Sequence, residues 1–405
     1  AGLSAAIKAA DAGLSVTLIT KGVGGIQLGT GTVDILGYGP DLIDKPLEAL
    51  EAHVASRPTH PYAHVTPAYV GASVAWLRDT VGPDALIGDE TRNVRIPTGV
   101  GALRPTCLIP PSMEAGIPQA GARYAIVGLK RLKDFYPGLV AENLSRQTGP
   151  DGKAITARAL SVDYVVRDGE IDSVGTVHAR SLDNEKNRAR LAAQIRPLLQ
   201  DGEIVGLPAV LGLDDPNAWR DLADQLGHPV FEIPIQPPSI PGMRLNAQLT
   251  RMASATARVI LGSPLTAIHA ADGRIQAVDY ASAGRATRVE TRAVILAAGG
   301  FESGALELDS YGAVADTVCG LPVMGPAGQL LHADFWGDEQ PLFLAGLAAD
   351  DSLRVVDDNG TPVYTNLFAA GGNLAGATRW REKSGEGIAL ASALAAVDAI
   401  VEELK

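Results

Sequence analysis

Three strand-then-glycine segments and one long interruption predict an α/β protein: a Rossmann-like (FAD/NAD(P)-binding, three-layer ββα) nucleotide domain with an inserted α/β cap lobe. Ala1-Gly2-Leu3-Ser4-Ala5-Ala6-Ile7 reads as the tail of G-x-G-x-x-G running into its helix. Gly2 is then the third glycine, which lets helix and strand pack closely. Gly13 caps that helix, and Val16-Thr17-Leu18-Ile19-Thr20 follows as an apolar strand. The strand before the fingerprint and its first two glycines are expected just upstream. The second segment is Val294-Ile295-Leu296-Ala297-Ala298-Gly299-Gly300-Phe301, a buried strand ending in a glycine turn. The third, Asn366-Leu367-Phe368-Ala369-Ala370-Gly371-Gly372, has the same form. It precedes Ser384-Gly385-Glu386-Gly387 and a helix of small residues over 388–401. Singly, each glycine pair reads as an ordinary turn; their order along one chain is what points to a nucleotide fold.

At 405 residues the chain has room for two or three domains and ample core. Its formal charge of −12, with no long basic run, argues against nucleic acid or an anionic membrane surface as a partner. Cys107 and Cys319 stand alone, offering neither a disulfide framework nor cluster ligands, as expected in a reducing cytoplasm. No metal site is predicted, and any iron–sulfur centre must lie on another chain. No apolar run reaches the roughly 20 residues that a membrane helix needs.

The nucleotide domain reads as discontinuous, built from residues 1–35 and 240–405, with 36–239 as the cap or substrate lobe. Within the lobe, 58–67 and 105–118 are proline-rich connections. Tyr124-Ala125-Ile126-Val127-Gly128-Leu129 is a buried strand, and Leu139, Val140 and Leu144 have helical spacing. Residues 204–213 give a second strand and turn, and 215–226 a helix. Downstream, 258–290 has an antiparallel pattern with Ala271-Asp272-Gly273-Arg274 as a hairpin turn.

Several narrower stretches resemble the B subunit of bacterial anaerobic glycerol-3-phosphate dehydrogenase. They are Thr20-Lys21-Gly22 through Gly31-Thr32-Val33-Asp34-Ile35-Leu36, His60-Pro61-Tyr62, Gly101-Ala102-Leu103-Arg104-Pro105-Thr106, Leu182-Asp183-Asn184-Glu185, and Pro237-Pro238-Ser239-Ile240-Pro241-Gly242-Met243-Arg244-Leu245. The resemblance covers nearly the whole chain. It implies oxidation of glycerol 3-phosphate to dihydroxyacetone phosphate, with electrons passed towards quinone in anaerobic respiration. It also implies two partners, a flavin-bearing A subunit and an iron–sulfur C subunit that holds the pair at the cytoplasmic face of the membrane. The resemblance suggests FMN as cofactor, whereas the fingerprint helix, built to hold a pyrophosphate, suggests FAD. Thr20-Lys21 occupies the place where many FAD enzymes carry a ribose-binding Glu, and a hydroxyl can make that bond instead.

The expected flavin contacts are Gly2, Thr20, Lys21, Gly22, Gly299, Gly300, Gly371, Gly372, Gly385, Glu386 and Gly387. The helix opened by the last three points its positive end at the flavin pyrimidine ring. Oxidising a secondary alcohol also needs a phosphate clamp and a proton acceptor. Arginine suits the clamp because its planar fork binds phosphate oxygens in pairs. Arg104, Arg180, Arg244 and Arg354 are the candidates, each set against the reading of an ordinary solvated charge. Histidine suits proton transfer near neutral pH. His178 leads, because on a strand it shares a face with Arg180; His60 is second. His332, near Asp334 and Trp336, reads as packing, and Cys319 as a core thiol. Two other functions fit less well: a non-catalytic partner that docks and stabilises the catalytic subunit, and a fumarate-reductase or aspartate-oxidase-like enzyme, whose arginine and histidine motif is not found.

Overall fold

The computed structural model describes residues 1–326, 328–335 and 337–405. Two parallel strand pairs form the nucleotide-side scaffold. β1 (Thr17–Thr20) pairs with β7 (Arg258–Leu261), and β11 (Val294–Leu296) with β12 (Leu367–Ala369). Helix α1 (Gly2–Asp11) packs on α8 (Ile240–Thr256) and α10 (Gly385–Glu403), and α3 (Pro67–Val81) covers α10. Their apolar faces share one core that includes Ile7, Val74, Leu245, Leu249 and Ile388. Alanine and serine along α10 let it bury almost a whole face without bulk, so the helix lies deep between α1 and α3.

The 258–290 region is the antiparallel sheet its pattern predicts. β8 (Leu265–Ala271), β9 (Arg274–Ser282) and β10 (Arg285–Glu290) pair in sequence order. Both tight turns have two left-handed residues, Asp272-Gly273 and Ala283-Gly284. That conformation matches strand twist and favours Asp and Gly.

The chain between α3 and α8 forms a four-stranded parallel sheet. Its strands are β3 (Arg123–Leu129), β4 (Thr156–Val162), β5 (Glu203–Pro208) and β6 (Val230–Ile233), in the order β4-β3-β5-β6. Helices α4 (Pro137–Ser145), α6 (Glu185–Ile195) and α7 (Ala218–Leu226) complete it. Tyr124, Ile126, Val205 and Phe231 fill its core, with the Tyr124 and Phe231 rings edge to face.

Elsewhere the structure corrects the sequence reading. The 58–67 stretch is not a plain linker. It holds a short 3-10 turn, Pro61–His64, and the Thr66 hydroxyl that caps α3 by accepting from Tyr69 N. Helix α2 (Pro46–Ala55) precedes it. The 105–118 stretch pairs instead of linking: β2 (Leu103–Thr106) is antiparallel to residues 94–97. His178 and Arg180 lie on a helix, α5 (Gly175–Leu182), and not on a strand. Two residues then span about 200° of turn, which puts them on opposite sides. His178 is fully buried and Arg180 exposed.

Close approach to one helix start has a testable cost. A Cβ on Gly387, in the first turn of α10, would collide with Tyr62 Oη and come within 3.0 Å of Ile35 Cα. Gly387→Ala is expected to lower unfolding free energy by about 1–3 kcal/mol. Urea denaturation of the full chain checks this, and an unchanged midpoint would contradict the packing described.

Candidate functional site

The site forms where four separate segments meet at the N-terminus of α10. The organising group is the buried carboxylate of Glu382, at the end of the short helix α9 (Arg379–Glu382). Its Oε1 accepts from Thr378 N at 3.0 Å, and its Oε2 takes hydrogen bonds from His60 Nε2 and Ser384 Oγ, both at 3.0 Å. Its main-chain oxygen accepts from Gly37 N and Tyr38 N at 2.8 and 3.0 Å. One residue therefore ties together the 34–38 loop, the 60–62 turn and the entry to α10. Burial pushes the carboxyl pKa up, but His53 and His60 outweigh it and hold the group well below the usual carboxylate range.

His53, His60 and Glu382 bring their ligand atoms within 4.8 Å of one another, as a metal site would. The hydrogen bonding favours a different reading. His60 Nδ1 accepts the Tyr62 amide at 3.1 Å, so its proton is on Nε2 and is donated to Glu382. A nitrogen so occupied has no lone pair for a cation.

Past Glu382 the chain turns left-handed at Lys383, with φ +54°. A non-glycine residue there costs about 1–2 kcal/mol and persists only where its surroundings enforce it. The Glu382 carbonyl bonds just described supply that constraint. Lys383 is thereby brought beside Arg104, Asp34 and Glu386. Arg104 Nη1 donates to Thr30 Oγ1 and Thr32 Oγ1, both at 2.9 Å, and Nη2 pairs with Asp34 Oδ2. Asp34 is buried, and its Oδ1 has no hydrogen-bond partner among the described residues. Its main-chain oxygen accepts from Gly387 N at 2.9 Å, which locks the loop to the start of α10.

Confinement shifts the neighbouring groups in opposite directions. Burial, followed by the Arg104 charge, pushes the Lys383 ammonium down. Burial, followed by the nearby Asp34 carboxylate, pushes Glu386 up to about 7. Such displaced values in one cluster are characteristic of working sites.

The glycine turns reach the same helix start: a Cβ on Gly371 would stand 3.8 Å from Ala389 Cα. Gly299-Gly300 follows β11 and Gly371-Gly372 follows β12, with Gly299 and Gly371 in the left-handed region. A Cβ on Gly300 would stand 3.0 Å from Gly372 O, so the turns approach each other through bare backbone. That spacing suits a flavin nucleotide: main chain is open to an extended ligand, and the α10 N-terminus offers its positive end.

The structure therefore gathers some of the expected residues and disperses others. Gly299, Gly300, Gly371, Gly372, Gly385, Glu386 and Gly387 flank the α10 entry, and Arg104 joins them. Gly2 opens α1, but a Cβ there would meet Leu18 Cδ1 and Ala297 Cβ only at 3.6 and 3.7 Å, ordinary contacts. Thr20 ends β1, its hydroxyl bonded to Gly22 O, and Lys21 and Gly22 are exposed beyond it. Arg244 is turned into the four-stranded lobe, donating to Glu232 Oε2 at 2.7 Å and to the main-chain oxygens of Leu211 and Gly212. Arg354 pairs with Asp350 and Glu403 at the other end of α10. His178 bonds Ser173 Oγ at 2.8 Å, and burial pushes its pKa down to about 4. Cys319 is raised to about 12 by burial and Asp316, as a core thiol would be. Trp336, read with His332, lies outside the described residues. Sequence reasoning alone gives no role to Thr30, Thr32, Asp34, Arg379, Glu382 or Lys383.

Known proteins resemble this chain along most of its length. The FAD binding domain family matches residues 1–388. The probable anaerobic glycerol-3-phosphate dehydrogenase B subunit of Halobacterium salinarum (strain ATCC 29341 / DSM 671 / R1) is 30% identical over 420 residues, covering 100% of this chain and 96% of the relative. The chain belongs to the FAD-binding-domain family and, within it, to the B-subunit family of anaerobic glycerol-3-phosphate dehydrogenases. Other members include the Pectobacterium carotovorum subsp. carotovorum (strain PC1) protein, 27% identical with 100% and 96% coverage, and that of Yersinia pestis, 28% identical with the same coverage. A 3-ketosteroid delta1-dehydrogenase structure from Sterolibacterium denitrificans aligns over 99% of this chain and 97% of its own, with 11% identity and a TM-score of 0.41. The sequence reading of a B-subunit flavoprotein is thus borne out. No described helix is long and apolar enough to cross a membrane.

The Glu386 shift gives this family member a signature. A carboxyl whose folded pKa is near 7, against a reference of 4.5, binds its proton more tightly when folded. Its contribution to stability is full below the unfolded value and falls as pH rises from about 4.5 to 7. Glu386→Gln is expected to remove that part of the pH dependence. Denaturant titrations across this range check it, and parallel profiles for variant and parent would contradict it.

Proposed function

We propose that this chain is a flavin-bearing subunit that takes part in oxidising glycerol 3-phosphate to dihydroxyacetone phosphate, with electrons passing towards quinone. The observation that carries this reading is the cationic pair Arg104 and Lys383, held with Asp34 and Glu386 at the start of α10. A bound flavin supplies the two-electron acceptor. The α10 N-terminus favours negative charge there, which suits a reduced flavin.

The chain's own residues would bind and orient the alcohol. Arg104, fixed by two threonine hydroxyls and Asp34, presents a pre-set guanidinium to a phosphate monoester. Lys383 makes no hydrogen bond through its ammonium among the described residues, so its donors remain available for the same group. Glu386, with its pKa near 7, can hold or release a proton at working pH. FAD is the nucleotide favoured by the family match over residues 1–388. In this reading the chain works with a flavoprotein A subunit and an iron–sulfur C subunit at the cytoplasmic face of the membrane.

The test uses the chain copurified with its partner subunits. Glycerol 3-phosphate added without oxygen should bleach the oxidised-flavin absorbance, and released flavin should chromatograph as FAD. Arg104→Gln should slow the bleaching by on the order of 10²-fold, as loss of one charged clamp does. A preparation containing no flavin bound to this chain would overturn the reading.

A further inference from the structure

The four-stranded sheet has one covered edge and one open edge. At the covered edge all four residues of β6 are buried, and the 3-10 turn Pro111–Gly116 packs against the strand. At the other edge, β4 is exposed at Thr156, Ala159 and Ser161. The ladder fixes which main-chain groups face outward there. Gly128 and Leu129 pair with Ser161 and Val162, and Lys130 N donates to Val162 O at 3.0 Å. In a strand, successive residues turn their N–H and C=O to opposite sides. Arg158, Leu160 and Val162 therefore face β3, and Ala157, Ala159 and Ser161 face away from the sheet. Ser145 Oγ donates to Ala157 O at 3.3 Å, and no other hydrogen bond outside the ladder reaches this outward row among the described residues.

Proteins usually blunt an open edge with a proline, an outward charge or a bulge. Here the outward residues are alanine, alanine and serine, and the charge on the strand, Arg158, is held by Glu203 at 2.6 Å. A groove of about 260 Å³ opens at the carboxyl end of the same edge. Ser161 lines it with Lys130, Lys133 and Tyr136, and no carboxylate does. Both lysines and Tyr136 are exposed, whereas Arg131 between the lysines is paired with Asp163 at 2.8 Å. On a chain of formal charge −12, this groove is locally cationic. Ser161 belongs to both features, so a strand added along β4 would deliver a side chain to the groove.

We propose that β4 is a docking edge for an extended, acidic segment of a partner subunit, which joins the sheet as a fifth strand. The main chain of that segment bonds the outward groups of Ala157, Ala159 and Ser161. A carboxylate on it reaches Lys130 and Lys133. Main-chain pairing supplies the affinity, and the lysine-lined groove selects the partner by charge. This inference rests on the functional reading above only in taking the partner from the same enzyme complex.

Amide hydrogen exchange of the full chain, alone and copurified with its partner subunits, tests it. The Ala157, Ala159 and Ser161 amides should exchange about tenfold more slowly, or slower still, in the complex than in the chain alone. Ala159→Pro removes one outward donor and leaves the β3–β4 bonds in place, since an edge strand tolerates proline where its N–H faces solvent. It should weaken assembly by about tenfold. Lys130→Glu combined with Lys133→Glu should weaken assembly several-fold at low salt and less at high salt. Circular dichroism separates lost docking from lost fold, and the exposed lysines carry the test if the proline disturbs the strand. An intact complex with unchanged exchange at these three amides would overturn the docking edge and leave the functional reading standing. Protection that grows with the concentration of the chain alone would assign the edge to a second copy and overturn the proposal. Failure of the parent chain to assemble with either subunit would overturn the partner reading and the docking edge together.

Discussion

The site depends on a buried charge. Glu382 is an ionised carboxylate with almost no contact with water, and His60, Ser384 and the Thr378 amide satisfy it. A carboxylate in such a place is expensive unless every lone pair finds a donor, so its partners are held as firmly as the group itself. Because His60 comes from a segment more than 300 residues away, that satisfied charge fixes the 60–62 turn against the entry to α10. The main-chain oxygen of the same residue fixes a second segment, through Gly37 and Tyr38.

Everything distinctive about the neighbouring groups follows from that placement. Lys383 takes a left-handed conformation because the residue before it cannot move. Its side chain then shares a confined space with Arg104, Asp34 and Glu386, where like charges cannot separate and water cannot screen them well. The result is a lysine shifted down and a glutamate shifted up within one cluster. The α10 N-terminus adds a fixed positive end, and the glycine turns add open backbone. None of these features needs a moving part. The geometry is pre-set, which is what the proposed orientation of a small phosphorylated alcohol would require.

Much of the scaffold is legible in the sequence because local rules and tertiary demands agree there. The strand-then-glycine segments at 294–300 and 366–372 combine apolar runs with turns that only small residues tolerate. The Asp272-Gly273 hairpin and the Tyr124-to-Leu129 strand carry equally local signals. His178 shows where such reasoning stops. A strand would place it on one face with Arg180, yet tertiary packing of Ala179 and Leu182 against the lobe core selects a helix. Arg244 stands out in its proline-glycine setting, but its partners, Glu232 and the 211–212 carbonyls, are distant enough in sequence to be invisible. Arg104 is recognisable because its short motif is narrow. Glu382 escapes notice for the converse reason: its setting, Trp380-Arg381-Glu382-Lys383, reads as an ordinary charged surface turn. Only the fold brings His60 to it across more than 300 residues of chain.

The most direct test of this account is amide hydrogen exchange in Glu382→Gln, compared with the parent at neutral pH. If the Glu382 charge holds the site together, the Gly37, Tyr38 and Gly387 amides should exchange about tenfold faster or more in the variant. Those of Ala125 and Val205, in the four-stranded sheet, should keep parental rates. Unchanged protection at Gly37, Tyr38 and Gly387 would show that the loops and the α10 entry hold their places without this carboxylate, and would contradict the account.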